Sequence, residues 1–289
     1  MKQGGHLGVS AGFTIVEVLV VLGVSGIIFL SAVLLISGRQ SRTEFMTASN
    51  SLLQQLQQVA NETSSGYFPN ASNFTCRAGI GTRPQLTNGG TAQGTNGDCI
   101  FLGKAVQFGA TDAGENYLTY SIAGNRLQTG TANEVTTLNQ AYPVAVAPGV
   151  ANYADLNGVT VKSPLQNGLA PKTMTYDGDT PTAGFAFMST LASYTDSHGS
   201  SCNGVCTGSQ GLQLYAIKGT SLSSPPSSRA FADVLDGGNG GYTLNYVPVQ
   251  TVTACFNSAT TNQSAVYTIG GTTGDVQSVG MQINNGSCS

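Results

Sequence analysis

The chain has 289 residues, 11 Lys+Arg against 14 Asp+Glu, and only 9% of its residues are charged, where an ordinary soluble domain carries about 25%. A net charge of -3 with so few cations supplies no field to hold a polyanion, which argues against nucleic acid as a partner and excludes a highly charged disordered tail. Gly reaches 38 residues, Trp is absent and 40% of residues are hydrophobic, a mixture that suits short apolar strands under a surface of small polar side chains.

At the N-terminal end, Phe13 to Ile36 reads FTIVEVLVVLGVSGIIFLSAVLLI, 24 residues with a single charge. As a helix this run spans about 36 Å, enough to cross a hydrocarbon core of about 30 Å. A secretory signal has an apolar region of about 7 to 15 residues followed by small residues at its cut. Here the small residues come before the apolar run, so a retained membrane segment is expected. Its one charge, Glu17, would cost about 2.5 to 3.5 kcal/mol at a membrane centre and less near an end, and marks a partner unless it snorkels to the surface. The preceding stretch, MKQGGHLGVSAG, ends in Gly12. A cut after Gly12 would set a new amine on Phe13, one helical turn before Glu17, able to neutralise the Glu of a neighbouring subunit.

The run Gly12-Phe13-Thr14-Ile15-Val16-Glu17-Val18-Leu19, behind a short leader with Lys2, resembles the class III signal of type IV pilins and type II secretion pseudopilins. The resemblance covers Met1 to roughly Glu62. It implies processing after Gly12 by a prepilin peptidase, N-methylation of Phe13, and subunit assembly through Glu17 and Phe13. The partners it implies are other pilin subunits, an assembly ATPase with its platform protein, and the membrane. The chain departs from the pattern at Leu34, where many pilins have a helix-kinking Pro; Gly23, Gly26 and Gly38 could loosen the helix instead. Arg39 and Arg42 follow the segment and Lys2 precedes it, so the positive-inside count leaves orientation open. The leader and the cysteines favour the N-terminus inside and the bulk outside.

Beyond the membrane, Phe45, Met46, Ser49, Leu52, Leu53, Leu56, Val59 and Ala60 recur at steps of three and four, which predicts an amphipathic helix, with the Ser-Ser-Gly at 64–66 as its stop. From Gly66 onward, strand-like runs are Cys99 to Phe108, Tyr117 to Ile122, Gly184 to Ser189, Leu212 to Lys218, Tyr242 to Cys255, Ala265 to Ile269 and Val276 to Ile283. Antiparallel pairing is expected. Residues 123–183, rich in Pro, Gly and Asn, read as a long insertion or extra strands.

Six Cys allow three disulfides in an oxidising compartment. Proximity suggests Cys76 with Cys99, Cys202 with Cys206 and Cys255 with Cys288, although six cysteines allow 15 pairings. The third would staple a C-terminal loop of the kind many pilins carry. Zinc at His198, Cys202 and Cys206 would lack a fourth ligand. Asp177 with Asp179 and Asp233 with Asp236 could offer oxygens to Ca²⁺, but Asp-Gly is first of all a turn sequence. A literal GxSxG occurs at Gly8-Val9-Ser10-Ala11-Gly12, inside the expected leader, where no strand and helix can form a nucleophile elbow.

The expected architecture is α+β, a long N-terminal membrane-spanning helix followed by a mostly antiparallel β head of the pilin kind. Its segments are a leader at 1–12, a transmembrane or filament-core half-helix at 13–36, an amphipathic half-helix at 37–65 and a disulfide-stapled head at 66–289. The expected role is a structural subunit, a major or minor pilin, neither enzyme nor cofactor carrier. It would wait in the inner membrane and then join an extracellular pilus or the cell surface. A pseudopilin and a membrane-anchored adhesive module are the competing readings. Retention of Glu17 argues against a tip-restricted pseudopilin, some of which lack it, and the large, low-charge head suits an adhesive or minor subunit.

Overall fold

A computed structural model of the chain describes residues 14–66, 74–79, 83–88, 97–109, 116–128, 130–145, 160–164, 169–189, 191, 194–195, 201–202, 212–223, 246–271 and 278–288. In chain order its elements are α1 (Ile15–Ser64), β1 (Phe74–Arg77), β2 (Gln85–Asn88), β3 (Cys99–Phe108), β4 (Asn116–Asn125), α2 (Leu138–Ala141), β5 (Val144–Ala145), β6 (Thr160–Pro164), β7 (Leu169–Tyr176), β8 (Thr180–Pro181), β9 (Gly184–Ser189), β10 (Tyr194–Thr195), β11 (Ser201–Cys202), β12 (Leu212–Ile217), β13 (Tyr246–Pro248), β14 (Thr251–Ser258), β15 (Gln263–Gly270) and β16 (Val279–Asn285). The class is α+β, and every pair of these strands is antiparallel. Two compact units divide the chain, Met1–Glu44 and Phe45–Ser289.

In the second unit, β13-β12-β9-β3-β4-β5 form one sheet, with β6 also paired to β4, and β16-β15-β14-β7-β8 form another. The C-terminal part of α1 packs with the inner faces of both. Phe45, Ala48, Leu52, Leu56, Val59 and Ala60 share one core with Val106, Phe108, Phe185 and Phe187 of the first sheet and Val252, Phe256, Tyr267 and Ile269 of the second. Phe108 meets Phe256 edge-on at 5.2 Å between centroids, and Phe256 meets Tyr267 in the same way at 5.2 Å, so aromatic rings link the sheets directly. Met46, which helical spacing assigned to the apolar face, is instead 37% exposed. It lies about 100° around the helix from Phe45, past the edge of the buried stripe.

Polar side chains fix the helix on both sheets. Lys104 of β3 makes an ion pair with Glu62, and the Tyr117 hydroxyl of β4 donates to Gln55. On the other sheet, the Tyr267 hydroxyl donates to the Ser49 carbonyl at 2.9 Å and Gln57 Nε2 donates to the Val279 carbonyl at 3.2 Å. Burial holds the Tyr267 phenol well above its ordinary range. The helix then stops at Ser64: Ser65 and Gly66 donate back to Asn61 and Thr63, and Gly66 adopts φ 66°, which a residue with a Cβ disfavours.

The first sheet is buried on both faces, which is why β9 is buried at every residue and shows no alternation of polar and apolar positions. Its outer face, with Leu118, Tyr120, Ile122, Ala186, Met188 and Ile217, is covered by Val135 and by α2 through Leu138 and Ala141. Residues 123–183 therefore supply α2 and β5 to β8, with β7 paired to β14 inside the second sheet. The register slips between Cys255 and Phe256, opposite Pro171, whose lack of an amide is tolerated at such a bulge. The Tyr242 to Cys255 run resolves into two strands, β13 and β14; residues 242–245 lie outside the described residues. In β3 a second bulge falls at Leu102, where a Cβ on Gly103 would collide with the Phe187 carbonyl of the neighbouring β9.

The Lys104–Glu62 pair yields a test of how α1 is held. Lys104 is buried and the Glu62 side chain is 23% exposed, so removing one partner leaves the other poorly compensated. Lys104→Met alone should cost about 2 to 4 kcal/mol, whereas Lys104→Met with Glu62→Leu should recover most of the loss. Urea unfolding of the full chain in detergent gives both values. Additive losses in the double variant would show that the two residues are not coupled.

Candidate functional site

The first unit is built around the start of α1. Thr14 caps the helix: its Oγ1 accepts the Glu17 amide at 3.2 Å and its carbonyl accepts the Val18 amide at 3.2 Å. Thr-Ile-Val-Glu thus has the spacing of a capping box, with Glu17 at the third helical position, where the helix dipole favours a carboxylate. The local reason for a helix start here was legible in the sequence, because Thr14 and Glu17 are three residues apart ahead of an apolar run. Gly12 and Phe13, the implied processing pair, lie outside the described residues.

From Ile15 to Val33 the helix is long and apolar enough to cross a membrane, and none of it is buried within the chain. Ile15, Leu19, Leu22, Ile27, Ile28, Phe29 and Leu30 all stand open. In water this much contiguous apolar surface would drive association, and its length and composition are those of a membrane span or of a signal sequence. The polar Ser31 satisfies its own hydroxyl by donating to the Ile27 carbonyl at 2.8 Å. The helix passes Gly23, Gly26, Leu34 and Gly38 without a break. Glu17 is exposed at one end of the run, and Arg39 and Arg42 are exposed beyond the other.

The remaining candidates fall in the second unit. Cys76 and Cys99 are bridged with Cα atoms 6.1 Å apart, and Cys255 and Cys288 with Cα atoms 5.9 Å apart. The latter bond closes 33 residues and ties the chain end to β14, a loop whose closure is worth about 2 to 4 kcal/mol in the chain-entropy account. The Cys288 amide also donates to Asn257 Oδ1 at 2.8 Å. The Cys202 backbone is in β11, whereas its side chain, Cys206 and His198 are outside the described residues.

Asp177 sits in the turn after β7 with φ 42°, and its Oδ1 accepts the Gln250 and Thr251 amides at 2.9 and 3.0 Å. That oxygen ties two loops together, and the neighbouring Asp179 is exposed. Asp233 and Asp236 lie outside the described residues, as do Gly8 to Gly12 of the GxSxG match. Among the described residues no group of three or more His, Cys, Asp and Glu side chains could hold a metal ion. No protein-family model matches the chain, and neither a curated protein nor a solved structure shows significant similarity to it.

Two substitutions separate the cap from the charge. Thr14→Ala removes the acceptor for the residue-17 amide and should raise its hydrogen exchange about five- to tenfold, as for the loss of a helix cap. Glu17→Ala keeps that acceptor and should leave the same amide within about threefold of the parent. Exchange on the full chain in micelles reads both, and equal effects would show that Thr14 is not the cap.

Proposed function

We propose that the chain is a pilin-like structural subunit, processed after Gly12 and assembled into a type IV pilus-type filament through the N-terminal half of α1. The observation that carries this reading is the sequence Gly12 to Leu19 leading directly into a helix that leaves its whole apolar run, Ile15 to Val33, exposed, with Glu17 as the one charge within it. Lipid would cover that surface before assembly and the helices of neighbouring copies afterwards. Glu17 would then be the contact residue, because a carboxylate taken into an apolar bundle needs a cation. The Phe13 amine is the partner implied by the resemblance. The work of such a subunit is assembly, and it asks for no cofactor.

The second reading, a membrane-anchored surface module with an adhesive head, draws on one observation. Glu17 already has a favourable place in the first turn behind Thr14, so it does not demand a neighbour. The two readings part on a single variant. Chain recovered from the envelope should begin at Phe13, N-methylated, and Glu17→Ala should insert normally yet enter filaments about tenfold less well, the scale for losing one partner of a desolvated charge pair. An intact Met1, a cut beyond residue 36, or normal incorporation of the variant would contradict the filament reading.

A further inference from the structure

Between Thr14 and Thr43 the chain has three ionisable residues, Glu17, Arg39 and Arg42, and all are exposed on α1. Because the helix is unbroken across this range, their separations follow from its geometry. Arg39 lies 22 residues and Arg42 25 residues after Glu17, which places them about 33 and 38 Å farther along the axis. The same counts rotate Arg39 about 40° to one side of Glu17 and Arg42 about 20° to the other. One stripe of the helix therefore carries an acid at one end and two guanidinium groups at the other. On that stripe between them, Val21, Val24 and Ile28 are exposed and apolar.

We propose that Glu17 of one copy pairs with Arg39 and Arg42 of a second, parallel copy displaced by about 33 to 38 Å along the helix axis, a reading that rests on the filament proposal above. Copies inserted side by side in one membrane, without stagger, set acid against acid and base against base. The stripe therefore disfavours their association at that level. The charge separation is close to the roughly 30 Å hydrocarbon thickness. A copy drawn outward by one membrane span brings its Glu17 level with the arginines of a copy still inserted. The stripe acts as a ruler: it rewards contact between a departed and a waiting subunit and penalises contact between two waiting ones.

The chemistry suits the task. A guanidinium presents a planar fork to both carboxylate oxygens and is weakly hydrated, so it can follow an acid into an apolar bundle at lower cost than an ammonium. A carboxylate has about four acceptor sites, so an Arg and the Phe13 amine can be bound together. Phosphate headgroups are the other anions that Arg39 and Arg42 could meet at a membrane surface, and in that case Glu17 is left to the Phe13 amine alone.

The test uses two differently tagged full-length copies expressed together with the parent chain, one bearing Glu17→Cys and the other Arg39→Cys, treated with a short bis-maleimide. Adducts joining the two tags should form in sheared filaments and be at least about tenfold rarer in the unassembled membrane pool. In parallel, Arg39→Glu with Arg42→Glu should lower incorporation about tenfold or more, the effect of juxtaposing like charges. Addition of Glu17→Arg to the same chain should recover a several-fold part of the loss, the share carried by the arginine pair, because the Phe13 amine is left without its carboxylate; leader processing is followed by mass. Filaments that contain both tags but no adduct would overturn the ruler, assign the arginines to headgroups and leave the filament reading standing. Chain found only in the membrane, with no filament material, would overturn both.

Discussion

The burial of the second half of α1 against both sheets is the interaction on which the rest of this structure depends. Phe45, Leu52, Leu56 and Val59 fill the space that the inner faces of the two sheets would otherwise expose. Packing alone allows a helix to rotate or slide, and the polar contacts remove that freedom. Glu62 to Lys104 and Gln55 to Tyr117 fix it on one sheet, while Ser49 to Tyr267 and Gln57 to Val279 fix it on the other. The fit has a cost, because the Ser49 hydroxyl is buried with no hydrogen-bond partner among the described residues.

The first half of the same helix follows the opposite rule. It keeps its regular backbone bonds, which is what an apolar environment demands, yet contributes no side chain to a core from Ile15 to Val33. One half packs into the chain's own core, and none of the other, Ile15 to Val33, is buried within the chain. Among its described residues the first unit sets four charges, Glu17, Arg39, Arg42 and Glu44, on an otherwise apolar helix.

Much of this was legible in the sequence. Residues 15–36 of the apolar run, its lone Glu17 and the three- and four-residue spacing after Phe45 fall within α1, and the Cys99 to Phe108 and Gly184 to Ser189 runs coincide with β3 and β9. Other parts were hidden for physical reasons. β7 contains Pro171, a residue that ordinarily argues against a strand and is accommodated here by a bulge. Met46 shows that spacing marks the centre of a buried stripe better than its edges. The polar contacts join residues as far apart as Gln57 and Val279, which no local pattern records. Thr14 could be read as a cap from its distance to Glu17, whereas the second role of Asp177, holding the Gln250 and Thr251 amides, required the fold.

The central claim, that the first half of α1 is a contact surface and the second half a core element, is tested most directly by a lipid-borne fluorescence quencher. Fluorophores are placed singly at Ile28 and at Gln54, both exposed positions on α1. The account predicts strong quenching at Ile28 in the membrane pool, its loss in assembled material, and no quenching at Gln54 in either. An Ile28 label that lipid never reaches, or that stays equally quenched after assembly, would contradict it.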